Sequence, residues 1–209
     1  MSGFERFNKI LNLFSEKRSS LTVAEISEEL KIPSSTIYRT VREMVLADFL
    51  ESAAGSYFRL GQAFIKFNRI INLSDPLIQA GEPFLEKLAN ENPIPSTNIL
   101  ARLFGDKVMC ISDFKYPSFK NNTSYQKGRL MPLLYGATSR AIIMQIKGKR
   151  LNDILNLEGL KDNKQQEIFI RGLDKDRKKG FCKTQGQVDK ELIGFAISIN
   201  NKKLGIEAS

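Results

Sequence analysis

The chain has 209 residues, of which 42% are hydrophobic and 26% are charged, a composition typical of soluble globular proteins and not of disordered tails. Thirty-two Lys and Arg residues stand against 23 Asp and Glu, and histidine, the commonest general base and metal ligand, does not occur in the sequence. The length accommodates one or two domains. No apolar run approaches the roughly 18 residues of a membrane span, and the N-terminus has no signal-peptide core, so we expect a cytoplasmic protein.

The net charge of +9 favours an acidic partner, but its distribution along the chain weakens that interpretation. Residues 1–60 hold eight basic and eight acidic side chains, so the remainder of the chain carries the whole excess. A DNA contact within the first 60 residues would therefore depend on where single cations lie and not on bulk attraction.

Two helices are predicted before residue 32. Apolar residues recur at helical spacing and form one face of the first helix, which should end near the charged segment SEKRSS. Thr22 and Glu25 form a capping box, in which each side chain accepts a hydrogen bond from a backbone amide at the start of the second helix. The apolar face of the first helix consists of Phe4, Phe7, Ile10, Leu11 and Phe14, and that of the second of Val23, Ile26 and Leu30.

Residues 32–45, IPSSTIYRTVREMV, constrain the function most. Pro33 and the serines after it mark a helix start, because a serine oxygen can accept from the first-turn amides. From Ile37 apolar residues recur at i+4, i+7 and i+8, so one face is built for burial and the other is polar and cationic. Together with the preceding helix and the tight connection at 31–34, this pattern predicts a helix-turn-helix whose second helix enters the major groove. The expected DNA contacts on this helix are Ser34, Ser35, Thr36, Tyr38, Arg39 and Arg42.

After Asp48 the pattern changes from helical to alternating. The segments FLES, AAGS and YFRLG predict a two-stranded hairpin that turns at Ala54 and Gly55. A hairpin directly after a helix-turn-helix is a wing, although an isolated hairpin of this kind also occurs as a plain edge ribbon. As a wing it would contact phosphate or the minor groove through Gly55, Ser56 and Arg59.

A change of domain is indicated at Gly61. Residues 61–74 predict an amphipathic linker helix, and Asp75 opens a further helix over residues 77–89. Residues 75–209 intersperse strands and helices in the way typical of an α+β domain with an antiparallel sheet. Strands are predicted in TNILARLF, KVMCISDF, FCKTQ, IGFAISI and LGIEA, helices over 137–145, 151–155 and 165–179, and a loop in KYPSFKNN.

Five segments, in the same order and spacing, resemble the isocitrate lyase regulator (IclR) family of bacterial and archaeal transcription factors. They are SSTIYRTVREM, YFRLG, DPLIQAGEPFLEKLA, GRLMPLLYGATSRAIIM and RKKGFCKTQGQVDKELIGFAISI, and they span nearly the whole chain. The resemblance implies a winged helix-turn-helix in residues 1–60, a linker helix in 61–74 and a GAF-like effector-binding domain in 75–209. It also implies a homodimer or a dimer of dimers, in which a small-molecule effector changes the geometry of paired DNA-binding domains.

The chain departs from the family pattern in the expected effector site. The family usually has glutamate at the position of Gln187, glycine at those of Ser139 and Glu191, and proline or a small residue at that of Ser198. The resemblance therefore does not carry over the identity of the ligand. Similar relatives also continue into a terminal helix after the last strand, and we expect that helix to be missing here.

Small and polar residues are expected to line the effector site. At the predicted helix start at residue 137, small side chains leave room, and exposed amides and hydroxyls could hold an anion. The same residue types also serve as ordinary caps and turns. The expected effector-binding residues are Gly136, Ala137, Thr138, Ser139, Cys182, Gln187, Asp189 and Ser198.

For catalysis the sequence offers little, since it contains no GxSxG, Walker, GxGxxG or paired-cysteine motif. Cys110 and Cys182 lie far apart and are expected to be reduced thiols. We interpret the chain as a non-enzymatic, metal-free and cofactor-free regulator that binds double-stranded DNA and senses a small molecule. Two alternatives stay open: a C-terminal domain that only assembles the protein, and a small α+β enzyme with a vestigial winged helix.

Overall fold

The computed structural model describes residues 2–116, 118 and 123–209, so the predicted loop KYPSFKNN falls mostly outside the described residues. The chain divides into two compact units, Met1–Ser74 and Asp75–Ser209. Within the described residues, no helix has both the length and the apolar character needed to cross a membrane.

The N-terminal unit combines a helix-turn-helix with a small antiparallel sheet. Its elements are α1 (Gly3–Leu11), β1 (Ser20–Thr22), α2 (Val23–Leu30), α3 (Ser34–Leu46), β2 (Leu50–Ser52), β3 (Tyr57–Leu60) and α4 (Ala63–Ser74). The predicted capping box of α2 is confirmed, because the Thr22 hydroxyl accepts from the Glu25 amide at 3.2 Å and the Glu25 carboxylate accepts from the Thr22 amide at 2.7 Å.

One apolar core joins α1, α2 and α3 to β2. Its fully buried members include Ile10, Leu21, Ile26 and Ile37. The apolar face of α1 is shorter than predicted: Phe4 is 80% exposed, and the helix ends at Leu11, before Phe14. Phe4 lies in the first turn, where its ring packs only along the same helix, against Phe7 at 6.3 Å between centroids.

The wing has three strands in the order β1-β3-β2, not the two that were predicted. The extra strand β1 pairs Leu21 with Phe58. A strand of three residues is too short to show an alternating pattern. Its last residue, Thr22, is also the cap of α2, so the sequence did not predict β1. The predicted turn is confirmed, with a short 3-10 segment at Ala54–Ser56 and Gly55 at φ 71°.

In the C-terminal unit, a five-stranded antiparallel sheet of order β6-β5-β4-β10-β9 lies beside a separate two-stranded sheet, β7-β8. This agrees with the predicted α+β class. Its elements are α5 (Pro76–Glu91), β4 (Thr97–Phe104), β5 (Lys107–Lys115), β6 (Leu130–Pro132), α6 (Ala137–Ile143), α7 (Gly148–Leu157), α8 (Asn163–Lys179), β7 (Cys182–Gln185), β8 (Ile193–Ala196), β9 (Ile199–Asn201) and β10 (Ile206–Ala208).

Alternate residues of the five-stranded sheet face two different apolar layers. Leu100 packs with α5 through Leu77 and Leu85, whereas its neighbour Ala101 packs with the layer that holds α6, α7 and α8. The two-stranded sheet covers α6, since a Cβ on Gly194 would lie 3.1 Å from the Cβ of Ala137.

The prediction of one strand over IGFAISI is wrong. The segment is divided into β8, which pairs with β7, and β9, which pairs with β10, so Ile197 and Ser198 form the connection between two sheets. Alternating apolar residues are compatible with either a single strand or two collinear ones, and the choice of pairing partner depends on residues distant in sequence.

Candidate DNA interface and candidate effector site

The outward face of α3 carries the cationic side chains that were expected to contact DNA. Tyr38 is 59% exposed, and Ser35, Arg39 and Arg42 are also exposed. Within the described residues no carboxylate pairs with Arg39 or Arg42, so both guanidinium groups keep their full hydrogen-bonding capacity. We call Ser35, Tyr38, Arg39 and Arg42 the outward face of α3.

The inward face of α3 fixes the direction of the outward face. Ile37, Val41 and Met44 are at most 2% exposed. Thr40, also buried, accepts from Arg6 Nε of α1 at 2.7 Å and donates to the Thr36 carbonyl at 3.1 Å. The sequence argument missed Thr40 and Arg6, although Thr40 lies three residues after Ile37 on the buried face.

The start of α3 differs from the prediction. Pro33 is the residue before the helix, and no side chain within the described residues caps the first-turn amides. The Ser34 hydroxyl instead donates to Ser27 Oγ at 3.0 Å, and Ser27 Oγ donates to the Ile32 carbonyl at 2.6 Å. Both serines therefore stabilise the turn between the two helices. The Thr36 amide donates to the Pro33 carbonyl at 2.9 Å, and no side chain within the described residues caps the amides of Ser34 and Ser35.

The wing presents its tip to solvent but not a free cation. Gly55 and Ser56 are exposed and both have positive φ angles, 71° and 62°. Arg59 on β3 forms an ion pair with Glu51 on β2, the residue directly opposite in the ladder. The charge of Arg59 is therefore partly neutralised inside the wing.

In the C-terminal unit, the structure brings together most of the expected effector-binding residues at the start of α6. The Gly136 amide donates to Gln187 Oε1 at 3.2 Å, and Ala137 lies under Gly194 of β8. Ser139 is fully buried, and its hydroxyl donates to the Pro132 carbonyl at 2.8 Å. The Gly136 amide and the Ser139 hydroxyl are thus already engaged within the chain.

Tyr125 lies at the centre of this cluster and was missed in the sequence. It is 5% exposed, its hydroxyl lies 2.8 Å from Ser139 Oγ, and the same hydroxyl donates to the Tyr135 carbonyl at 3.0 Å. Burial raises the pKa of the Tyr125 phenol, so the group stays protonated near neutral pH. A tyrosine between two turns has no periodic context, and no sequence signal marked it.

Asp189 attaches the segment that carries Tyr125. Its carboxylate accepts from the Thr123 hydroxyl at 3.1 Å, the Ser124 amide at 2.9 Å and the Ser124 hydroxyl at 2.5 Å. Burial raises the pKa of Asp189, but the hydrogen bonds from Ser124 and Thr123 outweigh it and lower the pKa below its ordinary value. This carboxylate is a structural acceptor in the present conformation.

The remaining expected residues lie at the margin of the cluster or outside it. Thr138 is half-buried, and its carbonyl accepts from the Ser209 hydroxyl at 3.1 Å. Cys182 is a free, buried thiol 3.6 Å from the Met144 sulfur, and burial raises its pKa to about 12, so it is not a nucleophile at neutral pH. In the part of the chain that the structure describes, no hydrogen bond joins Ser198 to Gln187 or Asp189.

Comparisons with known proteins agree with this geometry. The family described as the IclR helix-turn-helix domain matches residues 5–53. The Pca regulon regulatory protein of Pseudomonas putida is 19% identical over 204 residues, which cover 95% of this chain and 69% of that protein. An IclR transcriptional regulator from Alicyclobacillus acidocaldarius has a TM-score of 0.81 at 22% identity, covering 99% of this chain and 84% of that chain. An IclR homolog from Microbacterium hydrocarbonoxydans, solved as a complex with 4-hydroxybenzoate, has a TM-score of 0.79 at 21% identity, with 99% and 87% covered.

A winged helix-turn-helix with an exposed cationic helix, followed by an α+β unit, defines a DNA-binding regulator of transcription. Residues 5–53 of the chain match the IclR helix-turn-helix domain, and the solved IclR-type structures share the fold over nearly the whole chain, in agreement with the resemblance in the sequence.

Replacing Asp189 by alanine should lower the free energy of unfolding by about 2 kcal/mol at neutral pH, because Thr123 and Ser124 lose a charged acceptor. Since the pKa of Asp189 is lowered in the folded state, its contribution is fully present above its unfolded-state pKa and is lost as the pH falls through the folded-state value. Urea unfolding at pH 7 and at about pH 3 measures both effects. The exposed Asp153→Ala variant is the control, and a difference between D189A and wild type that persists unchanged in acid contradicts the assignment.

Proposed function

We propose that α3 enters the major groove of DNA and that its outward face reads the operator. The observation that supports this most is that Arg39 and Arg42 project from a helix whose opposite face is sealed, with no carboxylate beside them in the described residues. A guanidinium can form two hydrogen bonds with the O6 and N7 atoms of guanine, and Tyr38 and Ser35 have hydroxyls within reach of phosphates or base edges.

The open start of α3 provides a second contact in this proposal. Its first-turn amides have no side-chain cap in the described residues, and Thr36 is half-buried beside them. A DNA phosphate is a suitable acceptor at a helix N-terminus. The backbone at Gly55 and Ser56 on the wing tip would contact a neighbouring phosphate, whereas Arg59 contributes less because Glu51 holds it.

Because residues 1–60 are net neutral, operator affinity should depend strongly on single side chains. Arg39→Ala should weaken operator binding by about 1–3 kcal/mol if the guanidinium forks onto a guanine. Arg39→Lys retains the positive charge but cannot form the two parallel hydrogen bonds of a guanidinium group. Its operator affinity should therefore lie between those of Arg39→Ala and the wild type. Electrophoretic mobility shift at fixed salt measures both variants against the operator.

The matched control is the double variant Arg18→Ala/Glu29→Ala, which removes one arginine from the same unit together with its ion-pair partner, so that the net charge is unchanged. Its affinity should stay close to that of the wild type. Equal affinities of R39A and wild type would remove Arg39 from the reading face.

We also propose that the protein acts as a homodimer through α4. Phe64 and Phe67 of this helix both pack against Phe49, with ring centroids 5.7 Å and 6.1 Å apart, so Phe67 lies at the edge between the inner and the exposed side. Phe67, Ile70 and Ile71, spaced i, i+3 and i+4, remain 44%, 49% and 52% exposed. We call these three residues the linker stripe. A run of half-exposed large apolar side chains on one helix is typical of a helix–helix interface between subunits.

An aspartate at Ile70 should shift the protein from dimer to monomer, because a carboxylate in an apolar interface is desolvated without a partner. Analytical ultracentrifugation at micromolar concentration measures the change. Ile168→Asp on α8 is the matched control, since Ile168 is 65% exposed and lies outside the stripe. A dimer that survives in I70D assigns the interface to another surface.

We propose that the C-terminal unit binds a small-molecule effector and does not catalyse a reaction. The protein is proposed to act on DNA in the cytoplasm. The support is the shared fold with IclR-family structures, one of which is a complex with 4-hydroxybenzoate, and the clustering of Gly136, Ser139, Gln187 and Asp189 around one point. The alternative is a unit that only assembles subunits, and it is favoured by the engagement of these same polar groups within the chain.

A panel of small acids that includes 4-hydroxybenzoate should contain a compound that raises the melting temperature and changes operator affinity. The stabilisation of a native-state ligand follows RT ln(1 + [L]/Kd), so about 2.7 kcal/mol is expected at a hundredfold excess over Kd. Differential scanning fluorimetry and mobility shift with the same compounds measure the two effects. Intact operator binding without any stabilising compound supports the assembly module instead.

A further inference from the structure

The space that the small residues at the start of α6 would leave for a ligand is filled by Tyr125. Its ring belongs to the buried core of the C-terminal unit, and its hydroxyl reaches Ser139 Oγ and the Tyr135 carbonyl. A Cβ added to Gly136 would lie 2.8 Å from the Tyr125 hydroxyl oxygen and 2.9 Å from Val188 Cγ2. The packing around the phenol is therefore close, and a second ring has no room beside it.

The three hydrogen-bonding contacts around this phenol have only two hydroxyl protons between them. Tyr125 and Ser139 contribute one hydroxyl proton each, but three contacts are formed, namely the two of Tyr125 and that from Ser139 to the Pro132 carbonyl. In any arrangement of the protons, one contact has no donor. An incomplete buried network stabilises less than a complete one, so the phenol is held less firmly than its burial suggests.

The two residues directly before Tyr125, Thr123 and Ser124, are held by one partly exposed side chain. The Asp189 carboxylate accepts all three of the hydrogen bonds described above from Thr123 and Ser124. The chain after Tyr125 is held separately, since the Gly128 amide donates to the Cys110 carbonyl of β5 at 2.8 Å and the Lys127 amide donates to Asp113 at 3.3 Å. Loss of the Asp189 bonds would therefore release Thr123 and Ser124 without breaking a strand, because Tyr125 lies outside the strands of the sheet. The geometry supports withdrawal of Tyr125 as a local event and not as unfolding of the unit.

We infer that Tyr125 is a built-in occupant of the effector site, which an incoming ligand has to displace. The ligand class that fits is a small phenol, whose ring replaces the tyrosine ring and whose hydroxyl takes over the contacts with Ser139 and the Tyr135 carbonyl. This inference rests on the proposed effector function of the C-terminal unit. It explains how a site whose Ser139 hydroxyl and Gly136 amide are engaged can still accept a ligand: the cost of displacing Tyr125 lowers the apparent affinity.

The test uses p-cresol, which is the side chain of tyrosine as a free molecule, and isothermal titration calorimetry on the full chain. Tyr125→Ala should bind p-cresol about tenfold more tightly than the wild type or better, because the competing side chain is gone and a cavity of matching shape remains. Toluene, which lacks the hydroxyl, should bind Y125A more weakly than p-cresol does. Adding Ser139→Ala to Y125A should reduce that preference.

Equal p-cresol affinities of Y125A and wild type overturn the inference, as does a Y125A variant that binds toluene as well as p-cresol. If Y125A does not fold, Tyr125→Phe replaces it, since the ring and its packing are kept and only the hydroxyl contacts are lost. Y125F should then bind p-cresol more tightly than the wild type, and unchanged affinity overturns the inference.

Failure of the inference and failure of the proposed function can be told apart, because p-cresol binding is measured without DNA. Tight binding by Y125A in a protein whose wild type never responds to effectors supports the built-in occupant and contradicts effector sensing. Effector-dependent release of the operator by the wild type, with no gain of p-cresol affinity in Y125A, contradicts the built-in occupant alone.

Discussion

The burial of the inward face of α3 is the constraint that fixes how the N-terminal unit presents its outward face. Ile37, Val41 and Met44 are held by the common core, and Thr40 is tied to Arg6 of α1. A helix held on one side in this way cannot rotate about its axis without exposing large apolar side chains, which costs about 25 cal/mol for every Å² exposed. The orientation of Arg39 and Arg42 is therefore a consequence of packing behind them, and no contact of their own is needed to aim them.

The ion pairs of the same unit, among them Lys9 with Glu5, lie at the surface and contribute little to its stability. Arg18 with Glu29 and Arg59 with Glu51 form surface ion pairs, which contribute at most about 1 kcal/mol each. Arg39 and Arg42 are outside these pairs. In a unit with balanced charge, an unpaired arginine on a sealed helix is a local source of positive potential, and this suits recognition by position better than attraction by total charge.

Packing in the C-terminal unit has the opposite effect on its polar groups. Around Tyr125 they contact one another, with two hydroxyl protons for three contacts, and the Asp189 carboxylate holds Thr123 and Ser124. A buried polar network of this kind specifies one arrangement of the core, because leaving any member unpaired carries a desolvation penalty. Where the network is one proton short, the arrangement is specified but not strongly held, which is the property that a ligand-responsive site requires.

Helices and long strands were predictable because their periods are local. The capping box at Thr22, the inward face from Ile37 and the strands TNILARLF and KVMCISDF each carry their signal within about ten residues, and all are found in the structure. β1 was not predicted because a strand of three residues is too short to show an alternating pattern. IGFAISI was assigned to one strand because alternation says nothing about the partner, and its two halves join different sheets.

The sequence by itself determined the class of the protein and the identity of the outward face of α3, since both follow from spacing within a few turns of the chain. Only the tertiary structure decided which polar groups are free. A serine was expected to cap α3, whereas Ser34 bonds Ser27; Arg59 pairs with Glu51; and Tyr125 packs beside the small residues at the start of α6. Each of these outcomes depends on a partner brought near by folding, and a hydrogen bond or an ion pair requires a distance that no local pattern encodes.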